Sequence, residues 1–340
     1  MDNTVGCYRI LRLIGRGGQG SVYLGYDSRL QRRVAIKIYR MPNRRKMRKA
    51  LLQEARIIAD IQSPQVVKVH DIVESVSHLA LVMEYVPGCS LEEYLSRVRP
   101  SVASTVRVGL DIASALALAR RRRIVHGDIK PANIMLKRSG HAKLIDMGSA
   151  IDFHNPPRDR ECTPLYAAPE VLEDRTSTPR SDLASVGYVL IELLSGVNPF
   201  GHKKKLRDLL QAKRELPSQL SQILPDEISC NELLMNFLQG LIAPDPNRRF
   251  PSAEAAEHVD KGAAAFHRQL IMGDMATEYD NDIRVWLEEL RRLESDLTDV
   301  EGVPTGADLN SIRDGDSDFM TPGAAFGKRE DSGFSESDVE

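Results

Sequence analysis

A lysine closes the apolar run Val34-Ala35-Ile36-Lys37, and Glu54 stands seventeen residues further on. A lysine drawn into a sheet needs an opposite charge, because an unpaired buried ammonium is costly. Glu54 is the candidate partner; a surface lysine on an edge strand is the other reading of the spacing. Upstream, Gly15-Arg16-Gly17-Gly18-Gln19-Gly20-Ser21-Val22 carries glycines where backbone N–H groups could approach a polyphosphate with no Cβ in the way. The run lies between two strand-like segments, not between a strand and a helix, which argues against a dinucleotide-binding fold. A plain glycine-rich hairpin turn is the alternative. Three further runs concentrate polar groups: His126-Gly127-Asp128-Ile129-Lys130-Pro131-Ala132-Asn133, Leu144-Ile145-Asp146-Met147-Gly148 and Thr163-Pro164-Leu165-Tyr166-Ala167-Ala168-Pro169-Glu170. They fall in a loop-rich stretch, 126–170, that is more polar than a connector needs.

The elements that must hold these groups follow from periodicity. Residues 8–14, 21–26 and 33–39 read as short strands punctuated by glycine and polar residues. Residues 40–49 form a basic connector. A helix is expected from about 47 to 61, with Leu51, Ala55 and Ile58 at helical spacing. Strand character returns at 66–73 and 79–86, and Pro87-Gly88 marks a hinge. Beyond it the chain turns helical. Residues 104–121 have the small and apolar spacing of a buried helix, and 181–195 is apolar nearly all round, as in a central core helix. The pattern divides the chain into 1–86, 87–262, an appended helical segment at 263–298 and a tail at 299–340. In the appended segment Ile283, Trp286, Leu287, Leu290, Leu293 and Leu297 share one face. That face must dock on the chain's own body or serve as an interaction surface.

The 340 residues are 42% hydrophobic and 28% charged, an ordinary soluble composition. A net charge of -2 excludes a strongly basic nucleic-acid binder. The tail holds eleven Asp/Glu against three Lys/Arg, so a mildly basic body carries an acidic extension, expected to be disordered in isolation. The continuous apolar runs are too short to cross a bilayer, and Met1 to Thr4 open no secretory signal. Four scattered cysteines without a CxxC pair fit a reducing, cytoplasmic compartment rather than a disulfide or zinc framework.

Five runs in this order and spacing resemble the eukaryotic-like (Hanks-type) protein kinases, above all the compact bacterial Ser/Thr kinases, over residues 8–260. The resemblance implies an α+β, bilobal fold with a β-rich N-lobe, one regulatory helix and a helical C-lobe. It implies ATP and Mg²⁺ as cofactors (Mn²⁺ as a substitute) and protein substrates. Gly15, Gly17, Gly18 and Gly20 would then cover the phosphates, and Lys37, paired to Glu54, would hold two of them. Asp128 would accept the substrate hydroxyl proton, Lys130 would steady the γ-phosphate, and Asn133 and Asp146 would hold the metal. A carboxylate and an amide oxygen are hard ligands suited to Mg²⁺. Ile14, Val22, Ala35 and Met135 would sandwich the purine, with Met83 behind it and Glu84 and Val86 in the hinge. Ser90 stands where many relatives place an acidic ribose contact. Asp182 would brace the catalytic loop, and Glu170 would pair with Arg249.

The departures from that pattern carry expectations of their own. Gly127 replaces the arginine that, in the family, pairs with a phosphate on the activation loop. Between Ala150 and Cys162 there is no Ser, Thr or Tyr. Activity independent of activation-loop phosphorylation is therefore expected, with Thr163 in the substrate platform as an inhibitory site. Met147, in place of the usual Phe, should fill the same apolar slot beside Ile58 and His126. Cys89, just past the hinge, is within reach of an electrophilic ligand on this reading, and Cys162 adjoins the platform. The tail hydroxyls, among them Ser311, Ser317 and Ser335, are candidate autophosphorylation sites. Small-molecule kinases of the aminoglycoside and choline type share the His-Gly-Asp run, and a nucleotide-binding scaffold without catalysis is the third class. Lys130, Thr163, the Ala168-Pro169-Glu170 run and Arg249 favour a peptide platform over the small-molecule kinases, and the presence of every residue that the resemblance requires for ATP, metal and base speaks against the scaffold.

Overall fold

The computed structural model describes residues 4–17, 20–39, 44–74, 79–147, 150–152, 162–173, 175–203, 205–258, 268 and 276–298. Gly18, the tail 299–340 and the side chains of Leu293 and Leu297 lie outside the described residues.

The N-terminal lobe is an antiparallel sheet of six strands: β1 (Thr4–Val5), β2 (Tyr8–Gly17), β3 (Gly20–Asp27), β4 (Arg32–Tyr39), β5 (Val69–Glu74) and β6 (Leu79–Glu84), in the order β1-β2-β3-β4-β6-β5. β4 is buried along most of its length because it lies between β3 and β6. That rules out the edge-strand reading of Lys37. β2 and β3 pair out to Gly17 and Gly20, so the glycine-rich run is the tip of a hairpin. Gly20 must lack a Cβ, which would run into the Ile38 carbonyl of the neighbouring strand.

Helix α1 (Arg44–Asp60) begins earlier than periodicity indicated, so Arg44 to Lys49 of the expected basic connector are helical. Straight-chain Arg and Lys lose little rotamer freedom in a helix, which allows this. Leu51, Ala55 and Ile58 face inward and carry Glu54 under the sheet. The expected strand at 66–73 begins at Val69. Val66 makes only a parallel bridge to Leu144, whose N–H and C=O are taken by Gln65 and Val67.

After Val86 the chain enters β7 (Gly88–Ser90), which pairs with β9 (Ile134–Lys137); β9 in turn pairs with β10 (Ala142–Leu144). A two-stranded ladder joins β8 (Ile124–Val125) to β11 (Ile151–Asp152). The rest of this lobe is helical: α2 (Leu91–Leu95), α3 (Val102–Arg121), α4 (Pro169–Leu172), α5 (Pro179–Ser195), α6 (Leu206–Ile223), α7 (Asp226–Ser229), α8 (Glu232–Ile242) and α9 (Ala253–His258). α5 is the buried centre, packed on α3 and α8. It starts at a capping box of Thr178 and Ser181 with Pro179 in the first turn, a strong start signal. Among the described residues α3 is the one helix long and apolar enough to cross a membrane, but most of it is buried inside this lobe.

Helix α10 (Ala276–Thr298) packs against β7 and α3. Trp286 and Leu290 are buried in the main core and Ile283 is half-buried against it, while the Tyr94 hydroxyl donates to Glu289 at 3.1 Å. The described part of that apolar face, Ile283, Trp286 and Leu290, therefore docks on the chain's own body.

Candidate active site

Lys37 projects from the middle of the sheet, and its ammonium reaches two carboxylates. Oδ1 of Asp146 is 3.0 Å away and Oε1 of Glu54 is 3.4 Å away. Burial pulls the Lys37 ammonium down, but Asp146 and Glu54 outweigh it, and its pKa ends above the ordinary value. Glu54 moves up, because burial and the like charge of Asp146 outweigh the attraction of Lys37. The two directions differ since Lys37 has two anionic partners and Glu54 has one cationic one. With Lys37 caught between two carboxylates at these distances, we take the cluster as ionised. The Tyr39 hydroxyl donates to the other Glu54 oxygen at 2.5 Å. Sequence reasoning missed Tyr39, although it lies two residues along the strand from Lys37 and hence on the same face.

The 126–133 run forms a second cluster with Thr163. Asp128 Oδ1 accepts from the Thr163 hydroxyl at 2.7 Å and from the Thr163 N–H at 3.2 Å. Lys130 Nζ lies 2.7 Å from Asp128 Oδ2 and donates to Thr163 Oγ1 at 2.9 Å. The Asn133 amide N–H₂ donates to the Asp128 carbonyl at 2.8 Å and to its Oδ2 at 3.1 Å. Both amide protons are thus spent, which turns the Asn133 carbonyl oxygen to the role of ligand. The Asp146 side chain is 39% exposed and accepts from Lys37 on Oδ1. Two hard oxygen donors completed by phosphate oxygens fit a divalent ion such as Mg²⁺. Among the described residues no cluster of three or more His, Cys, Asp or Glu side chains offers a self-sufficient metal site.

The loop is braced from below. Asp182, in the first turn of α5, accepts the N–H groups of His126 and Gly127 at 2.7 and 2.8 Å. Gly127 holds φ +77°, a conformation open to glycine and strained for a residue with a Cβ. His126 is fully buried. Burial lowers its pKa and keeps it neutral, with Nδ1 accepting the Asp128 N–H at 3.3 Å. Met147 and Ile58 are both buried in the same apolar core. Glu170 and Arg249 form a buried two-point ion pair at 2.6 and 2.8 Å.

Between the lobes, Ala35, Met83 and Val86 are buried, Val22 and Met135 half-buried and Ile14 exposed at 38%, an apolar set with an open rim. The Glu84 side chain turns away to Lys143, with both oxygens within 2.6–2.7 Å of its ammonium. Burial raises the Glu84 carboxyl, but Lys143 outweighs that and it ends low; for the deeply buried Lys143, burial prevails and its pKa also ends low. The short double contact decides for an ionised pair. The Ser90 hydroxyl accepts the Glu93 N–H at 3.1 Å and caps α2, so its oxygen is engaged locally. Cys89 is 2% exposed, and burial pushes its thiol up to about 12. That corrects the expectation that an electrophile could reach it, because β7 turns the side chain into the core. Arg120 and Arg121, whose run reads from sequence as a solvated helix end, pair with Glu254 of α9.

Residues 8–259 match the family model described as "Protein kinase domain". The chain belongs to the protein kinase family. It is similar to the serine/threonine-protein kinase PrkC of Bacillus subtilis (strain 168), with 32% identity over 262 residues, 74% of this chain and 40% of the relative. A probable serine/threonine-protein kinase of Streptomyces coelicolor, SCO3848, is 34% identical over 262 residues, 73% of this chain and 38% of the relative. The probable serine/threonine-protein kinase pknA2 of Bifidobacterium longum is 37% identical over 205 residues, 57% of this chain and 27% of the relative. The chain spans less than half the length of these curated relatives. Its curled N-terminal sheet and helical C-lobe are the bilobal kinase fold.

Proposed function

We propose that this kinase domain transfers the γ-phosphoryl group of ATP to Ser and Thr hydroxyls of proteins. The carrying observation is that Asp146 of the C-lobe joins Lys37 and Glu54 of the N-lobe in one cluster, while its neighbour Ile145 donates to the backbone carbonyl of Asn133, whose amide holds Asp128 of the Asp128, Lys130 and Thr163 triangle. Phosphoryl transfer needs positioning and charge neutralisation more than covalent help from the protein. Lys37 supplies a fixed positive charge for the phosphates. Asp128 orients the attacking hydroxyl and takes its proton, and Lys130 offsets the charge that develops nearby. Asn133 and Asp146 would hold Mg²⁺, or Mn²⁺ in its place, which supplies further neutralisation when bound. Gly15, Gly17 and Gly20 leave room for backbone approach over the phosphates, and Ile14, Val22, Ala35, Met83 and Met135 offer apolar faces to a purine.

The reading includes activity without a phosphate on the activation loop. Gly127 brings no cation that would need neutralising, and its left-handed backbone donates its N–H to Asp182. A phosphate on Thr163 would set negative charge against Asp128 and inhibit. A reducing, cytoplasmic compartment is supported by four cysteines, none of which forms a disulfide among the described residues. Autophosphorylation of the tail hydroxyls completes the proposal.

The test is transfer of labelled phosphate from ATP with Mg²⁺ to the chain itself and to myelin basic protein, comparing wild type with Asp128→Asn and Lys37→Met. Phosphoserine or phosphothreonine from wild type alone is the expected result. Mg²⁺-dependent ATP binding without protein labelling would overturn it in favour of a small-molecule kinase or a nucleotide-gated scaffold.

A further inference from the structure

One fully buried cation among the described residues of the C-lobe has no part in the chemistry above. Lys213 is fully buried. It sits on the inward stripe of α6 with Leu209, Leu216 and Leu220, at spacing that otherwise calls for an apolar side chain. Its ammonium stands 4.0 Å from the ring centroid of Tyr188 and 4.0 Å from that of Phe200, two rings set edge to face. No carboxylate among the described residues pairs with it. Its one hydrogen-bond acceptor among the described residues is the Leu165 carbonyl at 2.7 Å. Burial accordingly holds its pKa well below the ordinary lysine value.

An unpaired ammonium in an apolar core opposes folding, and a Leu or Met at the same point of the stripe would not. Two aromatic faces offset part of that cost. What a Leu or Met could not do is hold the Leu165 carbonyl. Leu165 belongs to the turn in which the Tyr166 and Ala167 N–H groups both donate to the Thr163 carbonyl, each at 3.0 Å. That turn presents Thr163 to Asp128 and Lys130 on one side. On another side the Tyr166 hydroxyl donates to Glu192 at 2.7 Å. Lys213 supplies the remaining tether, from a helix that does not touch the reacting groups.

We propose that Lys213 is a positioning residue for protein substrates, fixing the 163–167 turn so that the peptide platform keeps one shape. The proposal rests on reading that turn as the platform. It separates protein binding from nucleotide binding, because the hydrogen bond of Lys213 goes to the platform and its ring contacts, Tyr188 and Phe200, lie outside the groups that would hold ATP. Removing it should weaken engagement of the protein substrate while sparing that of ATP.

The experiment uses the full chain with two readouts. The first is amide hydrogen exchange over 163–170, which needs no catalysis and so stands even if the assigned activity fails. The second is steady-state kinetics with myelin basic protein as the probe. Lys213→Met is expected to raise exchange in 163–170 about tenfold while α5 and α8 stay protected, to raise KM for myelin basic protein about fivefold, and to leave KM for ATP within about twofold. Lys213→Gln, which keeps a donor but not the charge, is expected to recover most of both effects. Exchange and KM indistinguishable from wild type in Lys213→Met would overturn the proposal, as would loss of protection spread evenly over the C-lobe. Should Lys213→Met fail to fold, Phe200→Leu decides, since it removes one ring face and leaves the lysine. Faster exchange confined to 163–170 supports the proposal, and any other pattern overturns it.

Discussion

Replacing Thr163 by Val tests the active-site reading most directly. The hydroxyl donates to Asp128 Oδ1 at 2.7 Å and accepts from Lys130 at 2.9 Å, while both charged side chains are mostly buried, at 14% and 26% exposure. Valine keeps the shape and removes both bonds. A hydrogen bond to a charged group contributes about 1.5–3 kcal/mol. The two bonds do not add, because Lys130 keeps its 2.7 Å contact with Asp128, and the Thr163 N–H keeps its bond at 3.2 Å. One bond's worth is therefore the fair expectation, which lowers kcat/KM about 10- to 150-fold at 1.4 kcal/mol per tenfold. The assay is the initial rate of phosphate transfer to myelin basic protein, with Asp128→Asn as the floor. Thr163→Ser restores the hydroxyl and should stay within about threefold of wild type. If Thr163→Val matches wild type, or Thr163→Ser falls as far as Thr163→Val, the hydroxyl is not what holds Asp128 in place.

Three other outcomes follow from the same geometry. Arg249→Met leaves the Glu170 carboxylate buried and unpaired, and should cost about 3–5 kcal/mol in urea unfolding; a loss under about 1 kcal/mol would contradict the buried-pair assignment. Glu84 has its folded pKa below the ordinary 4.5, so the stabilisation it contributes is present above that value and lost as pH falls through the folded pKa. The difference in unfolding free energy between wild type and Glu84→Gln should thus shrink from about pH 6 to about pH 3.5, and a constant difference would refute the ion pair with Lys143. Trp286→Ala, at a side chain 3% exposed, should cost about 3–5 kcal/mol of the docking of α10, seen as earlier proteolytic release of the helix; unchanged release would place its apolar face elsewhere.

Much of the fold was legible because its signals are local. Short strand-like runs punctuated by glycine and polar residues marked β3 and β4, the inward stripe Leu51, Ala55 and Ile58 marked α1, and the apolar run of α5 marked the core. Lys37 and Glu54 could be matched because a single strand-to-helix passage separates them. Lys143 could not, since its partner Glu84 is 59 residues away and nothing in either neighbourhood announces the pairing. Lys213 was invisible for the same reason: a lysine among leucines looks like a solvated helix position until the helix is docked. Ser90 was read by its place in a familiar run, yet a Ser three residues before the Glu93 N–H is also an N-cap, and local capping claimed it. Cys89 misled because closeness to a pocket in sequence says nothing about which way a strand turns its side chain.

The docking of α10 also governs when the back of this fold can be covered during synthesis. Tyr94 and its partner Glu289 are 195 residues apart, and β7, behind which the helix packs, follows directly on the nucleotide hinge. At about 5–20 residues per second, the hydroxyl of Tyr94 waits about 10–40 s before that carboxylate is even polymerised. Through that interval the back of the hinge exposes the apolar surface that Trp286 and Leu290 later cover. A nascent chain therefore presents a sticky seam beside its nucleotide cleft, the place where a chaperone would hold it and where a stalled ribosome would leave it most prone to aggregate.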